Sequence, residues 1–136
     1  LQNIFRGDRK VEVVVNRRYR EGMFRSIQAG AGHITGERFF ITPGDCPLIG
    51  KEVYSALLNH TGEIILPVFH GKRGHPVLLE GRLAREILME PGDSDLRVFI
   101  GKHAVKLVDV LQKEILTDID TMEDYQRVLV AMQQKR

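Results

Sequence analysis

The sequence predicts an α/β fold, with a largely parallel sheet covered by helices on both faces. Short runs rich in β-branched and aromatic residues alternate with segments whose apolar residues recur at helical spacing. This strand–helix alternation favours parallel strands joined by crossover helices. The 136 residues suffice for one domain with its own core, and no internal repeat or linker divides them. We therefore expect residues 1–136 to form a single domain.

The first half of the chain predicts two strand–helix pairs. The dense run of β-branched residues at Val11–Val15 predicts a buried strand, and a helix follows at Tyr19–Gly30, with an apolar stripe that includes Met23. The second strand is predicted at Arg38–Thr42, and its helix at Leu48–His60. This order favours a largely parallel sheet covered on both faces.

The second half begins with two closely joined strands, which predict a hairpin-like excursion. These strands are Glu63–Phe69 and Pro76–Leu79, and a basic loop with two glycines connects them. Because Pro76 has no N–H for a ladder, the second strand either lies at a sheet edge or begins at Val77. The remaining predicted elements are a helix at Arg82–Met89, a helix through His103 capped by Asp93 or Ser94, a strand at Val105–Val110 and a last helix that begins near Thr121.

Composition limits the function. The net charge of +2, from 20 basic and 18 acidic residues, gives no strong field, so we expect neither nucleic acid nor a membrane as partner. A single cysteine excludes an internal disulfide, and His33, His60, His70 and His103 lack zinc-ligand spacing. No apolar run reaches the roughly 20 residues of a membrane span. The expected setting is the cytoplasm, and the expected partner is small or carries phosphate.

A tight turn after the predicted strand Arg38–Thr42 holds the first candidate site. Gly44 allows close approach of a backbone or ligand, and Pro47 suits the first turn of a helix. Asp45 then lies just past the carboxyl end of a strand, where open α/β sheets bind ligands. Its carboxylate is the kind of group that holds Mg²⁺ while phosphates complete the shell. The alternative reading from the residues is that Asp45 caps the following helix.

A second acidic group lies near the end of the chain. In an extended segment, Asp118 and Asp120 face the same way while Ile119 packs behind them. Thr121 and Asp124 have the spacing of a capping box. The alternative is that Asp120 and Thr121 simply begin the last helix.

Two further side chains near these acids invite a role. His75, between Gly74 and Pro76 and close to Arg73, could face a phosphate, although a solvated basic loop is equally consistent with the residues. Cys46 follows Asp45, whose negative charge disfavours a thiolate, so we predict that Cys46 is not a nucleophile.

Five sequence strings occur in a characteristic order over nearly the whole chain. They are Asn16 with Arg20–Gly30, then Pro43–Leu48, Arg73–Val77, Gly92–Arg97 and Thr117–Tyr125. Together they resemble the nucleotidyltransferase family, in the subgroup of molybdenum-cofactor cytidylyltransferase-like enzymes. The resemblance implies a glycosyltransferase-A-type Rossmann sheet and Mg²⁺-dependent transfer of a nucleotidyl group from CTP or GTP to a molybdopterin-like phosphate, with release of pyrophosphate. It also implies a molybdoenzyme or chaperone as a partner.

The resemblance assigns roles residue by residue. Asp45 becomes the principal catalytic Mg²⁺ ligand, with Asp118 or Asp120 as the second. The nucleotide side is given by Gly22, Ser26 and Gly44, and the acceptor side by Arg73, Gly74, His75, Pro76, Asp93 and Arg97. The last two match more loosely, because Asp95-Leu96 stands where the family usually has Gly-Ala.

One family feature has no counterpart in the sequence. Members open with a strand and a phosphate loop of the type Leu-Ala-Ala-Gly-x-Ser-x-Arg-Met-Gly with a later Lys. We therefore expect about the first two strands and this loop to be missing from the chain. Two alternatives remain at this point: a transferase of the same fold that acts on a sugar phosphate or another small phosphorylated acceptor, and a non-catalytic remnant that serves as a binding module.

Overall fold

The computed structural model describes residues 4–5 and 7–134, which form a five-stranded sheet flanked by helices. The strands are β1 (Arg38–Ile41), β2 (Ile64–Phe69), β3 (Lys72–Arg73), β4 (Val77–Glu80) and β5 (Val105–Asp109). The helices are α1 (Met23–Ala31), α2 (Lys51–Leu58), α3 (Leu83–Met89), α4 (Leu96–Gly101) and α5 (Met122–Gln134). Two single 3₁₀ turns precede α1 and α5, at Tyr19–Glu21 and Lys113–Leu116.

The sheet is mixed rather than largely parallel. β4 lies between β1 and β2 and is antiparallel to both, whereas β5 pairs with the other side of β2 in parallel. β1, β2 and β5 therefore share one direction, and β4 and the short β3 run against it. The reversal follows from the short loop between β2 and β4, because a parallel pair needs a crossover of a dozen or more residues. The α/β fold class is confirmed, with this correction to the strand directions.

Helices cover both faces of the sheet, as predicted. Successive side chains of a strand point to opposite faces, so Ile64 and Leu66 of β2 face one layer and Ile65 faces the other. The first layer holds α1, α3 and α4, and its core includes Phe24, Phe39, Val77, Leu83, Ile87 and Phe99. The second layer holds α2, and its core includes Val53, Leu57, Leu78, Val108 and Ile115.

The predicted strand at Val11–Val15 is wrong. These residues belong to no ladder in the part of the chain that the structure describes, and Val11, Val14 and Val15 are exposed. β-branched residues favour strands mainly through packing on a half-buried pleated surface, and this segment has no such surface around it. Propensity alone therefore misled the prediction.

Two finer expectations also differ. The side chain of Met23 is exposed, and the buried stripe of α1 is Phe24, Gln28 and Ala31. α4 is capped by Asp95, whose Oδ1 accepts a hydrogen bond from Val98 N at 2.8 Å, and not by Asp93 or Ser94. A cap must directly precede the first helical residue for its side chain to reach the third amide of the helix.

β4 resolves the alternatives that Pro76 left open. The strand begins at Val77, and it lies inside the sheet with β1 on one side and β2 on the other. Pro76 thus stands just outside the ladder, where its missing N–H leaves no bond unmade. The placement at a sheet edge is wrong.

An ion cluster lies at the end of the sheet where β2 begins and β4 ends. The guanidinium of Arg82 donates to Glu80 at 2.9 Å, to Glu86 at 3.0 Å and also to Glu63. Glu63 accepts a further bond from the backbone N–H of Ala104, just before β5, at 2.9 Å. These bonds join β2, β4, β5 and α3 at this end of the sheet. They also lower the pKa of Glu63, mainly through the Ala104 N–H.

No helix within residues 4–5 and 7–134 has both the length and the apolar character that a membrane span requires.

Substitutions at two neighbouring leucines of α2 should separate core packing from surface effects. Leu57 is fully buried against the second face of the sheet, whereas Leu58 is 44% exposed. We expect Leu57→Ala to lower the free energy of unfolding by about 2–5 kcal/mol, because it leaves a cavity. Leu58→Ala should change it by only about 0.5 kcal/mol. Urea unfolding of both variants measures the difference, and similar losses would contradict this packing.

Candidate active site

Asp45 lies on the turn between β1 and α2, as the sequence predicts. β1 ends at Ile41, and the turn closes with a hydrogen bond from Cys46 N to the Pro43 carbonyl at 3.4 Å. α2 begins after Gly50, five residues beyond Asp45. The carboxylate of Asp45 is exposed and is too far along the chain to cap that helix. The capping alternative is therefore wrong.

A backbone hydrogen bond ties the two acidic segments together. The N–H of Ile119 donates to the carbonyl of Asp45 at 2.9 Å. The carboxylates of Asp118 and Asp120, on either side of Ile119, are both exposed. The turn of Asp45 and the segment of Asp118 and Asp120, which are distant in sequence, thus meet beyond the carboxyl ends of β1 and β5.

The start of the last helix is accounted for without these acids. Asp124 N donates to Thr121 Oγ1 at 3.1 Å, and Thr121 N donates back to Asp124 Oδ2 at 3.0 Å. This reciprocal pair is the predicted capping box of α5. Hydrogen bonds from Thr121 also lower the pKa of Asp124. Asp118 and Asp120 are left free of the capping role.

The loop that precedes β4 is held against the same terminal segment. The N–H of His75 donates to the carbonyl of Ile115 at 3.0 Å, and the N–H of Gly74 donates to the carbonyl of Pro67 at 3.0 Å. A side chain at Gly74 would overlap the backbone of Ile115, so only glycine permits this approach. The structure therefore places His75 near the acids, while Arg73 is exposed on β3.

The thiol of Cys46 lies next to Asp45 and is influenced by the charge of Asp118. Its Sγ donates to Asp45 Oδ1 at 3.6 Å. Burial, then the charge of Asp45 and this bond, and finally the charge of Asp118, raise the pKa of the Cys46 thiol to about 11. The thiol is protonated near neutral pH, which supports the prediction that it is not a nucleophile.

The charges of Asp45 and Asp118 also act on the imidazole of His75. Burial lowers the pKa of the His75 imidazole, and the charges of Asp45 and Asp118 oppose this shift. Its Nδ1 atom is buried and makes no hydrogen bond to any residue that the structure describes. A buried polar atom without a partner is costly, so the ring has an unused capacity to bond.

The acidic group fits a hard divalent cation that brings its own ligands. Within residues 4–5 and 7–134, no cluster of three or more His, Cys, Asp or Glu side chains forms a complete metal site. Mg²⁺ does not need one, because it is usually held by one or two carboxylates while phosphates and water fill the other positions. Asp45 with Asp118 or Asp120 supplies such oxygens.

The remaining candidate residues form a second group around α1 and α4. Gly22 precedes α1 with a φ of 121°, a conformation that favours glycine. Ser26 Oγ accepts a hydrogen bond from Asn16 Nδ2 at 2.9 Å. Asp93 and Arg97 are exposed, one in the loop between α3 and α4 and the other on α4. Arg25, which lies between Gly22 and Ser26 in sequence, packs against Gly92, the neighbour of Asp93, whereas Asp45 and Asp118 lie near His75.

Sequence reasoning missed the residues that join α1 to this loop. Gln28 is buried and donates from Nε2 to the carbonyls of Ile87 and Glu90 at 3.0 and 2.9 Å. Arg25 donates from Nη1 to Gln28 Oε1 at 3.2 Å. The signal was present, because a glutamine interrupts the apolar stripe of a helix at Phe24, Gln28 and Ala31.

Comparison with known proteins gives a family match. Residues 2–107 match the MobA-like NTP transferase domain. The match includes Asp45 and the loops of His75 and Asp93 but ends before Asp118. The molybdenum cofactor cytidylyltransferase of Escherichia coli K12 is 28% identical over 119 residues. That alignment covers 85% of this chain and 60% of the relative, so the chain spans only about three fifths of that protein.

Solved structures share the fold. A homologue of Rv0371c from Mycobacterium sp. strain JC1 superposes with a TM-score of 0.67 at 22% identity, covering 82% of this chain and 59% of the other. The complex of Rv0371C from Mycobacterium tuberculosis H37Rv with manganese gives a TM-score of 0.65 at 22% identity, covering 77% and 59%. At these identities the likeness establishes the arrangement of the sheet and helices alone.

The single cysteine allows the predicted acidic group to be tested without any activity. Asp45→Asn removes a negative charge that helps to raise the Cys46 pKa from 9.0 to about 11, so the thiol should become more acidic. We expect the thiolate fraction at pH 9 to increase about threefold or more. Carbon-13 NMR titration of the Cys46 Cβ measures the pKa. Asp118→Asn should give a smaller change in the same direction. Asp93→Asn is the control, and an unchanged pKa in Asp45→Asn would contradict the geometry.

Proposed function

We propose, for a chain that belongs to the family of MobA-like NTP transferase domains, that it forms part of a Mg²⁺-dependent nucleotidyltransferase. The enzyme moves CMP, or alternatively GMP, from the NTP to the phosphate of molybdopterin and releases pyrophosphate. The observation that carries this proposal is the hydrogen bond between Ile119 and Asp45, which joins the turn of Asp45 to the segment of Asp118 and Asp120 beside the His75 loop. The curated relative, which is named for cytidylyl transfer and the molybdenum cofactor, supports CTP and this acceptor.

The chemistry is an exchange at phosphorus. An oxygen of the acceptor phosphate attacks the α-phosphorus of the NTP in line, and the bond from that phosphorus to the oxygen bridging to the β-phosphate breaks. The electron pair leaves with pyrophosphate. Such a transfer depends on positioning and on neutralising charge rather than on a protein nucleophile. The protonated thiol of Cys46 agrees with that requirement.

The negative charge of the acidic residues favours a bound cation. Without one, the carboxylates of Asp45, Asp118 and Asp120 would repel a triphosphate. We propose that Asp45 holds the cation, with Asp118 or Asp120 as the second protein ligand. A Mg²⁺ ion held by these residues would supply Lewis-acid chemistry and neutralise negative charge on the phosphates. A solved relative in complex with manganese supports a divalent ion in this fold.

The loop before β4 suits the acceptor. Arg73 is exposed and can offer a planar fork of donors to a phosphate. His75 carries an unbonded, buried Nδ1 and lies near Asp45. We propose that this loop orients the acceptor phosphate toward the nucleotide held at Asp45, and that Gly22 and Ser26 lie on the nucleotide side.

Nucleotide binding and turnover of matched variants test the function. Glu37 directly precedes β1 and Asp45 follows its other end, so Glu37→Gln is a control for Asp45→Asn on the same strand. We expect Asp45→Asn to weaken Mg²⁺-dependent CTP binding on the order of 100-fold, and Glu37→Gln to leave it unchanged. Calorimetry with CTP or GTP, in Mg²⁺ or in EDTA, measures the affinity. Pyrophosphate release with molybdopterin measures turnover.

Binding decides the outcome even if turnover requires residues that lie outside this chain, which spans 60% of its curated relative. CTP and GTP binding that ignores Mg²⁺, or that survives Asp45→Asn unchanged, would contradict the proposal. A sugar phosphate that replaces molybdopterin as acceptor would instead identify a different transferase of this fold.

A further inference from the structure

We propose that Arg25 is a positioning residue that fixes the acceptor loop, residues 91–95, against α1. The proposal rests on the proposed function for its kinetic consequence, but its structural part does not. Arg25 lies on α1, between Gly22 and Ser26 in sequence, and its guanidinium contacts the acceptor loop at Gly92. It therefore connects the nucleotide side of the site to the acceptor side.

The guanidinium of Arg25 is held from two directions. Its Nε donates to Glu21 Oε2 at 2.9 Å, and its Nη1 donates to Gln28 Oε1 at 3.2 Å. The side chain is only 24% exposed. Because Glu21 and Gln28 stand on either side of Arg25 in sequence, these bonds fix the plane of the guanidinium over one side of α1.

Gly92 packs against that plane. A Cβ atom at Gly92 would overlap the Cζ, Nη2 and Nε atoms of Arg25. The absence of a side chain at Gly92 leaves room for the guanidinium, so an alanine there would push the end of the Arg25 side chain away from the loop. The loop is therefore seated directly on the guanidinium.

Gln28 anchors the arrangement at its other end. The buried amide donates to the carbonyls of Ile87 and Glu90, so it ties α1 to the last turn of α3 immediately before the loop. Its Oε1 receives the bond from Arg25, so the three polar contacts use both donors and the acceptor of the amide. A continuous set of bonds thus runs from Glu21 to the start of the acceptor loop.

The consequence concerns the second substrate rather than the first. The loop carries Asp93 and leads into the helix of Arg97, both on the proposed acceptor side. A displacement of about 1 Å in such a positioning element can cost on the order of 100-fold in rate. Loss of the Arg25 contacts should therefore impair use of the acceptor while the affinity for CTP is kept.

A double-variant experiment separates this contact from general destabilisation. The variants are Arg25→Ala, Gly92→Ala, the combination of the two, and Arg85→Ala as a control at an exposed arginine of α3. The first readout is amide hydrogen exchange in residues 91–95, where Ser94 N is bonded to the Pro91 carbonyl at 3.0 Å. We expect each single variant to accelerate this exchange about tenfold, because the loop loses its seat. The combined variant should exchange no faster than Arg25→Ala, because the overlap that Gly92→Ala creates is then absent.

The second readout is the split between the two substrates. Arg25→Ala should raise the KM for molybdopterin about tenfold and change the KM for CTP less than about twofold. Arg25→Lys keeps the charge but not the planar fork, so it should resemble Arg25→Ala.

Unchanged exchange in Arg25→Ala, strictly additive effects of the two substitutions, or an equal rise in both KM values would overturn the proposal. A wild-type chain that binds no CTP would overturn the proposed function alone, because the exchange data still decide whether Arg25 holds the loop.

Discussion

The hydrogen bond from Ile119 N to the carbonyl of Asp45 is the contact on which the candidate site depends. It joins a turn in the first half of the chain to a segment more than 70 residues later, and it does so through backbone atoms, so it occupies none of the three carboxylates. The neighbouring bond from His75 to Ile115 adds the third loop. Asp45, Asp118 and Asp120 form no ion pair with any residue that the structure describes, and carboxylates without such a pair suit a cation that also binds phosphate.

The reversed direction of β4 explains why the His75 loop reaches this place. Ile41, at the end of β1, pairs with Val77, at the start of β4. Residues that precede β4 therefore lie at the same edge as residues that follow β1. In a wholly parallel sheet, a loop before a strand would lie at the opposite edge, away from Asp45. The hairpin-like excursion between β2 and β4 is thus the topological reason that the His75 loop and the acidic group are neighbours.

Much of this arrangement could be predicted from the sequence, and the failures have physical causes. Turn chemistry and alternation located β1, α2, β2 and the Asp45 turn, because those signals are local. The reversal of β4 and the exposure of Val11–Val15 depend on which strands pair, and a propensity contains no such information. Met23 was chosen for its apolar side chain, whereas the helix buries Gln28 to satisfy two carbonyls of α3. Apolar periodicity alone cannot find a polar residue that is buried for its hydrogen bonds.

The two ends of the sheet, one with the Arg82 cluster and one with the Asp45 turn, differ in composition. The ion cluster around Arg82 joins β2, β4, β5 and α3 at the end of the sheet opposite Asp45. The loops of Asp45, His75 and Asp118, which have a proposed role in binding phosphate or cation, lie at the other end. The exposed side chains of those loops, such as Asp45, Arg73 and Asp118, belong neither to the cluster nor to the two core layers. Substitutions at these exposed positions can therefore change ligand binding without changing the core. This end of the sheet is a suitable region for directed evolution of acceptor specificity.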